Sequence, residues 1–227
     1  SQIDAPNFGN PIDIVSTQDV LQNIEKDSKY RVDEQMYLRA RIFDFLIGDW
    51  DRHADQWRWS EFKEGDYTIY RPIGRDRDQA FAKIDGKLLK LIMYSPAMRH
   101  MQNFSGKFGR TRWMNKTAFP LDKVFLQNMK LEDWQKTAKE IVESISDDVI
   151  IEAFSKMPVE VLNSETLQIQ EILKERRSNL VDFTEKYYNE LMKYGIVAAT
   201  DKGNQIKIET SKDEVVVNVV HPKKSGD

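Results

Sequence analysis

Cysteine is absent from this chain of 227 residues, which excludes disulfide bonds and thiolate metal sites. No apolar run approaches the roughly 20 residues that span a bilayer, so we expect no transmembrane segment in this chain. Charge of one sign is not in excess either, because 34 basic and 37 acidic residues leave a net charge of -3. No overall field would therefore attract nucleic acid or a membrane surface, and we expect no nucleic-acid partner.

Internal repeats, low-complexity tracts and a glycine-rich phosphate loop of the P-loop kind are missing as well. What is present is a globular composition: hydrophobic residues make up 40% and aromatic residues 11%, enough for a real core. The length suits one domain, or one domain with an appendage. The first residue is Ser1 rather than Met, which favours a processed protein or a piece of a longer one.

The most informative stretch covers residues 42–86. It begins as the apolar end of a helix, which Gly48 should stop. Four polar residues of the kinds found in active sites follow within five positions: Asp49, Asp51, Arg52 and His53. Two strand-like runs, Gln56 to Phe62 and Tyr67 to Ile73, then lead to a second acidic cluster at residues 76–78.

Two strands joined by a tight turn form a hairpin, which returns the chain to its starting point. We therefore expect the two acidic loops to meet, with the carboxylates of Asp51 and Asp76 at one site. Carboxylates gathered with an arginine and a histidine suit a base that orients a hydroxyl group, facing a divalent metal ion.

The first acidic loop lies in the sequence Phe-Asp-Phe-Leu-Ile-Gly-Asp-Trp-Asp-Arg-His, residues 43–53. This resembles the catalytic loop of atypical, secretory-type protein kinases, Phe-Asp-Phe-Leu-x-Gly-Asn-x-Asp-Arg-His. The later Asp-Arg-Asp-Gln-Ala-Phe, residues 76–81, resembles their metal-binding loop and the Asp-x-Asp-x-x-Phe of CotH-type spore-coat kinases. The CotH-type kinases also have a tryptophan-rich strand, which Trp57-Arg58-Trp59 resembles. The resemblance covers residues 36–83.

This resemblance implies a role for individual residues. Asp51 would be the catalytic aspartate, with Arg52 and His53 beside it. Asp76 would hold the Mg²⁺ (or Mn²⁺) that bridges the phosphates of ATP. Gln56 stands where many relatives place a metal-binding asparagine. Two further candidate metal ligands are Asp78 and Asp49, the latter replacing the usual asparagine after the glycine.

Two other interpretations of these residues remain open. Acidic residues after a helix are often solvated or capping groups, and Arg52 could pair with Asp44 or Asp49. Alternatively, the acidic residues and His53 could carry out metal-dependent hydrolysis, although their order matches the kinase pattern.

The remaining sequence predicts mainly helices, several with clear boundaries. Asp33 should cap a buried helix from Glu34 to Ile47, and Thr17 a short helix before it. Apolar stripes predict a helix from Leu131 to Ile145 and a long one from Ser164 to Tyr194. Further predicted elements are two short helices (residues 88–93 and 96–101), a helix capped by Asp147 or Asp148, and three C-terminal strands (residues 196–199, 205–210 and 214–220).

Residues 103–116 are basic and punctuated by glycine. They could accept phosphates or an acidic substrate, or they could form a solvated loop. The cations are Lys107, Arg110, Arg112 and Lys116. His100 is expected to be a surface or core histidine.

The expected fold is mainly α (α+β): a lobe similar to the C-terminal lobe of a protein kinase, with a catalytic β-hairpin and a small C-terminal β meander. We expect residues 1–195 to form the helical domain and residues 196–227 to begin a following domain. A kinase also needs a glycine-rich cover and a strand lysine to hold ATP. The first fifty residues hold two glycines and two lysines, so the chain should be a fragment or a reduced scaffold.

Two functional hypotheses follow. The chain could be part of a phosphotransferase that acts outside the cytoplasm, with partners in neighbouring domains. It could instead be a non-catalytic binding module. The run Arg-Asp-Arg-Asp-Gln-Ala-Phe at residues 75–81 and the long helix with Glu-Arg-Arg at residues 175–177 resemble segments of large bacterial cell-envelope proteins that join a phosphoesterase-like region to an outer-membrane barrel. The exposed edges of the C-terminal strands could also pair with a second copy.

Overall fold

The computed structural model describes residues 10–84, 86, 92–93, 95, 97–195, 205–212 and 215–220. Its N-terminal part contains β1 (Asp13–Ser16), α1 (Thr17–Lys26), β2 (Tyr30–Val32), α2 (Glu34–Ile47), β3 (Trp57–Glu64) and β4 (Tyr67–Gly74). The helical part contains α3 (Thr111–Met114), α4 (Phe119–Phe125), α5 (Leu131–Ser144), α6 (Asp147–Ser155), α7 (Ser164–Ser178) and α8 (Leu180–Leu191). The strands β5 (Gln205–Thr210) and β6 (Val215–Val220) follow. The chain is therefore a mixed α+β protein.

The predicted hairpin is confirmed as β3 and β4, which pair antiparallel from Trp57 opposite Gly74 to Glu64 opposite Tyr67. It is the centre of a four-stranded sheet with the order β1-β3-β4-β2. The outer strands β1 and β2 were not predicted, because runs of four and three residues carry too little periodicity to be recognised. They form by pairing with a hairpin that is already specified by its own alternation.

Helix α2 is the centre of the core, as predicted. Asp33 accepts a hydrogen bond from the Met36 amide, and Gly48 ends the helix with a left-handed φ of 74°. A side chain on Gly48 would also meet the ring of Phe104 at 2.7 Å. Apolar side chains on nearly every face of the helix are buried against α5, α8 and β4: Tyr37, Leu38, Ile42, Phe45, Leu46 and Ile47.

The aromatic residues pack with one another in this core. Tyr37 contacts the rings of Trp57, Trp59 and Phe125 at centroid distances of 4.9, 5.6 and 5.4 Å. This layer seals the hairpin against α2 and α4, so the sheet has a firm base directly beside the acidic loops.

Three predicted boundaries are wrong. Ser16, rather than Thr17, caps α1, and Ser146, rather than an aspartate, caps α6, because each of these serine side chains accepts the hydrogen bond from the amide three residues on. The long helix predicted from Ser164 is two helices that break at Asn179. Sequence periodicity does not detect such a break, since both helices keep their apolar faces toward the core.

The C-terminal strands β5 and β6 form a two-stranded antiparallel sheet. The predicted strand at residues 196–199 and most of the helix predicted at residues 88–93 lie outside the described residues. The helix predicted at residues 96–101 is wrong in its described part. Residues 97–100 form a turn. No helix within the described ranges is long and apolar enough to cross a membrane.

Candidate functional site

The two acidic loops lie side by side at one end of the β3–β4 hairpin. Trp57 begins β3 opposite Gly74 at the end of β4, and the amide of Arg75 donates to the carbonyl of Gln56 over 2.9 Å. The loop before β3 therefore adjoins the loop after β4. The hairpin returns the chain to its starting point, as the sequence predicts.

Arg52 ties the two loops together. Its guanidinium donates to the carbonyl of Arg75 at 2.5 Å and to the carbonyl of Gln56 at 3.2 Å. The same group pairs with the carboxylates of Asp44 at 3.1 Å and Asp49 at 3.4 Å. Arg52 is fully buried, so it positions the loops rather than contacting a ligand. Both pairings considered from the sequence are present.

The approach of Arg52 to the end of β4 also explains Gly74. A Cβ atom at this position would lie 2.6 Å from a guanidinium nitrogen of Arg77 and 3.0 Å from one of Arg52. Arg77 in turn donates to the Asp44 carboxylate over 3.0 Å. A side chain here would therefore have to displace the ends of two arginines that reach the same buried carboxylate.

These contacts belong to a buried network below the loops. Asp44, expected from the sequence to be an ion-pair partner, also contacts Arg41 at 3.3 Å. Arg41 pairs with Asp122 at 2.8 Å, and the hydroxyls of Tyr37 and Tyr187 donate to the same carboxylate. Three arginines face three aspartates, so the network is electrically balanced and holds the base of the site rigidly.

Asp49, a predicted metal ligand, lies within this network, with 2% of its surface exposed. Its carboxylate accepts the Asp51 amide at 3.3 Å as well as the Arg52 guanidinium. Burial, reinforced by the charge of Asp44, raises the pKa of Asp49 to about 6. Asp49 therefore faces inward, toward Arg52, and shapes the loop that carries Asp51.

The accessible groups at this end of the hairpin are Asp51, His53, Asp76 and Asp78. The His53 Nε2 atom lies 3.9 Å from the Asp51 carboxylate. Asp76 has a φ of 44°, a left-handed conformation that is unusual for a residue other than glycine. Such strain persists where the surrounding structure imposes it, as Arg52 does here by holding the neighbouring carbonyl of Arg75.

The described residues contain no group of three or more histidine or acidic side chains arranged to hold a metal ion. Magnesium, however, keeps several waters and often takes only one or two protein carboxylates together with substrate phosphates. Asp76 suits this mode, because it is exposed and its carboxylate has no hydrogen-bond partner among the described residues. Gln56 is half-buried beside it, with its side-chain nitrogen 3.5 Å from His53 Nε2.

Two residues far along the chain, Thr117 and His100, also contact the first acidic loop, and neither was assigned to the site from the sequence. The Thr117 hydroxyl donates to the Trp50 carbonyl at 2.7 Å and accepts the Arg52 amide at 3.2 Å. His100 packs edge-on against Trp50, with 5.3 Å between ring centroids. Burial and the charge of Lys116 lower the pKa of His100, while Asp51 acts in the opposite direction.

The end of α2 is fixed from the other side by Arg176, which is 3% exposed and pairs with no carboxylate of the described residues. Its guanidinium donates to the carbonyls of Phe45, Leu46 and Ser105, the last two at 2.8 Å. Burial lowers the pKa of Arg176 to about 9. This arginine caps the helix from which the first acidic loop departs.

Comparisons of the chain with protein-family models, curated proteins and solved structures found no significant match. The resemblance to kinase motifs therefore remains a prediction from the sequence, and any function has to be argued from the geometry described above.

Proposed function

We propose that this chain is the catalytic-loop portion of a kinase-like phosphotransferase, which moves a phosphoryl group from ATP to a hydroxyl. The observation that carries the proposal is the position of Arg52, whose guanidinium binds the backbone on both acidic loops and so brings Asp51 and Asp76 to the same end of the hairpin. The chain order also agrees with it: a buried helix, an acidic loop, a hairpin and a second acidic loop.

In this proposal, Asp51 accepts a hydrogen bond from the attacking hydroxyl and orients it, while His53 stands beside its carboxylate. Asp76 and Gln56 would hold Mg²⁺, which neutralises charge on the nucleotide phosphates when bound. The buried pairs of Arg52 with Asp44 and Asp49 keep the loop in place, which matters because phosphoryl transfer depends mainly on positioning.

Strands β1 and β2 flank the hairpin and contain no lysine. Among the described residues, the part before α2 thus supplies sheet edges to the hairpin and no strand lysine that could reach a phosphate. This observation favours the second candidate, a non-catalytic interaction module of a multidomain cell-envelope protein. It also implies that phosphotransfer would need a nucleotide-holding segment from elsewhere.

Titrating Mg²⁺ and ATP into the 227-residue chain by calorimetry tests whether this chain alone can hold the metal ion and the nucleotide. We expect weak Mg²⁺ binding, lost in Asp76→Ala, and no measurable ATP binding. The matched control is Asp66→Asn, which removes an exposed charge at the far turn of the hairpin. Micromolar ATP binding would contradict the need for another segment.

In the intact protein, phosphotransfer should disappear in Asp51→Asn and in Asp76→Ala while both variants remain folded, since neither change opens a core cavity. Full activity in the double variant would remove the kinase interpretation.

A further inference from the structure

A groove of about 830 Å³ separates residues 107–113 from helices α7 and α8. It lies along the basic segment that the sequence singled out, and the function proposed above does not use it. One wall carries Lys107, Arg110 and Arg112, and the other carries acidic and polar residues of the two helices.

The cations on the first wall are free. Lys107, Arg110 and Arg112 are exposed, and their side chains make no hydrogen bond, ion pair or ring contact with any described residue. Within the described part of the chain, Arg75 is the one other arginine whose side chain makes no such contact. A free guanidinium group binds carboxylates well, because it can make two parallel charge-assisted hydrogen bonds, and Arg110 and Arg112 each offer one to the groove.

The acidic residues on the opposite wall are largely neutralised already. Asp182 pairs with Lys186 at 2.6 Å, and Glu190 pairs with Lys193 at 2.7 Å. Among the acidic residues that line the groove, this leaves Glu175 without a partner in the described structure. The unpaired charge in the groove is therefore three cations against one carboxylate, which favours an acidic occupant.

The shape of the groove favours an extended occupant. Along α8 its lining runs from Asp182 to Glu190, a length of about 12 Å at the rise of an α-helix. The groove is therefore long enough to lie along several residues of an extended peptide. Half-buried rings of Phe108 and Trp113 also line the groove and offer apolar surface to a side chain.

We propose that this groove binds an extended acidic peptide segment of a partner protein, with Arg110 and Arg112 as its carboxylate contacts. The proposal does not depend on phosphotransfer, because it concerns a separate surface and can be tested without nucleotide.

The test measures fluorescence anisotropy of a labelled short peptide that contains several glutamates and one phenylalanine, added to the 227-residue chain. We expect saturable binding that weakens as salt is raised and that falls about tenfold in the Arg110→Gln/Arg112→Gln variant. The same peptide with glutamine in place of glutamate should bind at least as weakly as the variant does.

The matched control is Lys136→Gln/Lys139→Gln, which removes the same charge from exposed positions on α5. It should change the affinity less than about twofold. No binding to the wild-type chain, equal binding by the groove variant, or an equal loss in the control would each overturn the proposal. Tighter binding of a short oligonucleotide through the same arginines would overturn it too, by assigning the groove to nucleic acid.

Discussion

Replacement of Arg52 by alanine tests the central feature of the candidate site. The change removes the guanidinium that pairs with Asp44 and Asp49 and holds the carbonyls of Gln56 and Arg75. Neither carboxylate has appreciable access to water, with 0% and 2% of their surfaces exposed. The variant therefore leaves buried charge uncompensated and frees the two loops from each other.

Removing one partner of a buried ion pair typically costs about 3–5 kcal/mol. The lower end applies here, because Asp44 keeps Arg41 at 3.3 Å and Arg77 at 3.0 Å. Asp49 can in addition take up a proton, since its pKa is already raised to about 6. We expect Arg52→Ala to lower the free energy of unfolding by about 3 kcal/mol.

Urea unfolding followed by circular dichroism measures this loss. The matched control is Arg75→Ala, a neighbouring arginine that is exposed and makes no side-chain contact with a described residue. The control should change stability by less than about 0.5 kcal/mol. A loss below about 1 kcal/mol in Arg52→Ala, the range of a surface pair, would refute the view that this arginine holds the two loops together.

Three further predictions concern the same region. The raised pKa of Asp49 means that its carboxyl group binds a proton more tightly in the folded chain than in the unfolded chain. Protonation of Asp49 therefore stabilises the fold fully below pH 3.8, and this contribution is lost as the pH rises through about 6. In Asp49→Asn, the fall in unfolding free energy across that window should become smaller, and equal pH slopes in urea titrations of both proteins would contradict this. Arg176→Met removes the donor of the Leu46 and Ser105 carbonyls, while the Phe45 carbonyl keeps the Gly48 amide over 3.2 Å. The variant should cost about 2–4 kcal/mol by chemical unfolding, whereas the exposed Lys186→Met serves as a control with little effect. Asp76→Gly removes a candidate metal ligand but relieves the strain of a left-handed φ of 44°. The thermal midpoint should therefore hold or rise by the equivalent of about 0.5–1 kcal/mol, while Mg²⁺ binding is lost. A clear fall in the midpoint would show that the carboxylate itself stabilises the loop.

The sequence was a good guide to elements whose signal is local. Helix α2 begins after Asp33 and ends at Gly48 as predicted, because a capping carboxylate and a left-handed glycine act within a few residues. The β3–β4 hairpin was also predicted, because strand-like runs joined by a short turn are likewise a local pattern. The strands β1 and β2 depend on pairing with more distant parts of the chain, and no local pattern encodes them.

The same distinction between local patterns and distant contacts applies to the candidate site. Adjacent loops and the ion pairs of Asp44 could be predicted, since the hairpin and the spacing of charged residues determine them. The inward orientation of Asp49 could not, because burial depends on how α2 packs. Thr117 lies 65 residues from Arg52, and a threonine is too common to attract notice without the fold.

The position of Arg176 has a consequence for the order in which the site is assembled during synthesis. The carbonyl of Leu46 that it caps is 130 residues earlier in the chain, so the end of α2 leaves the ribosome long before its donor is made. At about 5–20 residues per second, that interval lasts roughly 6–25 seconds. During this time the Leu46 carbonyl, in the helix from which the first acidic loop extends, has water in place of its arginine donor. A nascent chain can thus hold the hairpin and both acidic loops and still lack the finished geometry, which first becomes possible when α7 emerges and folds onto α2.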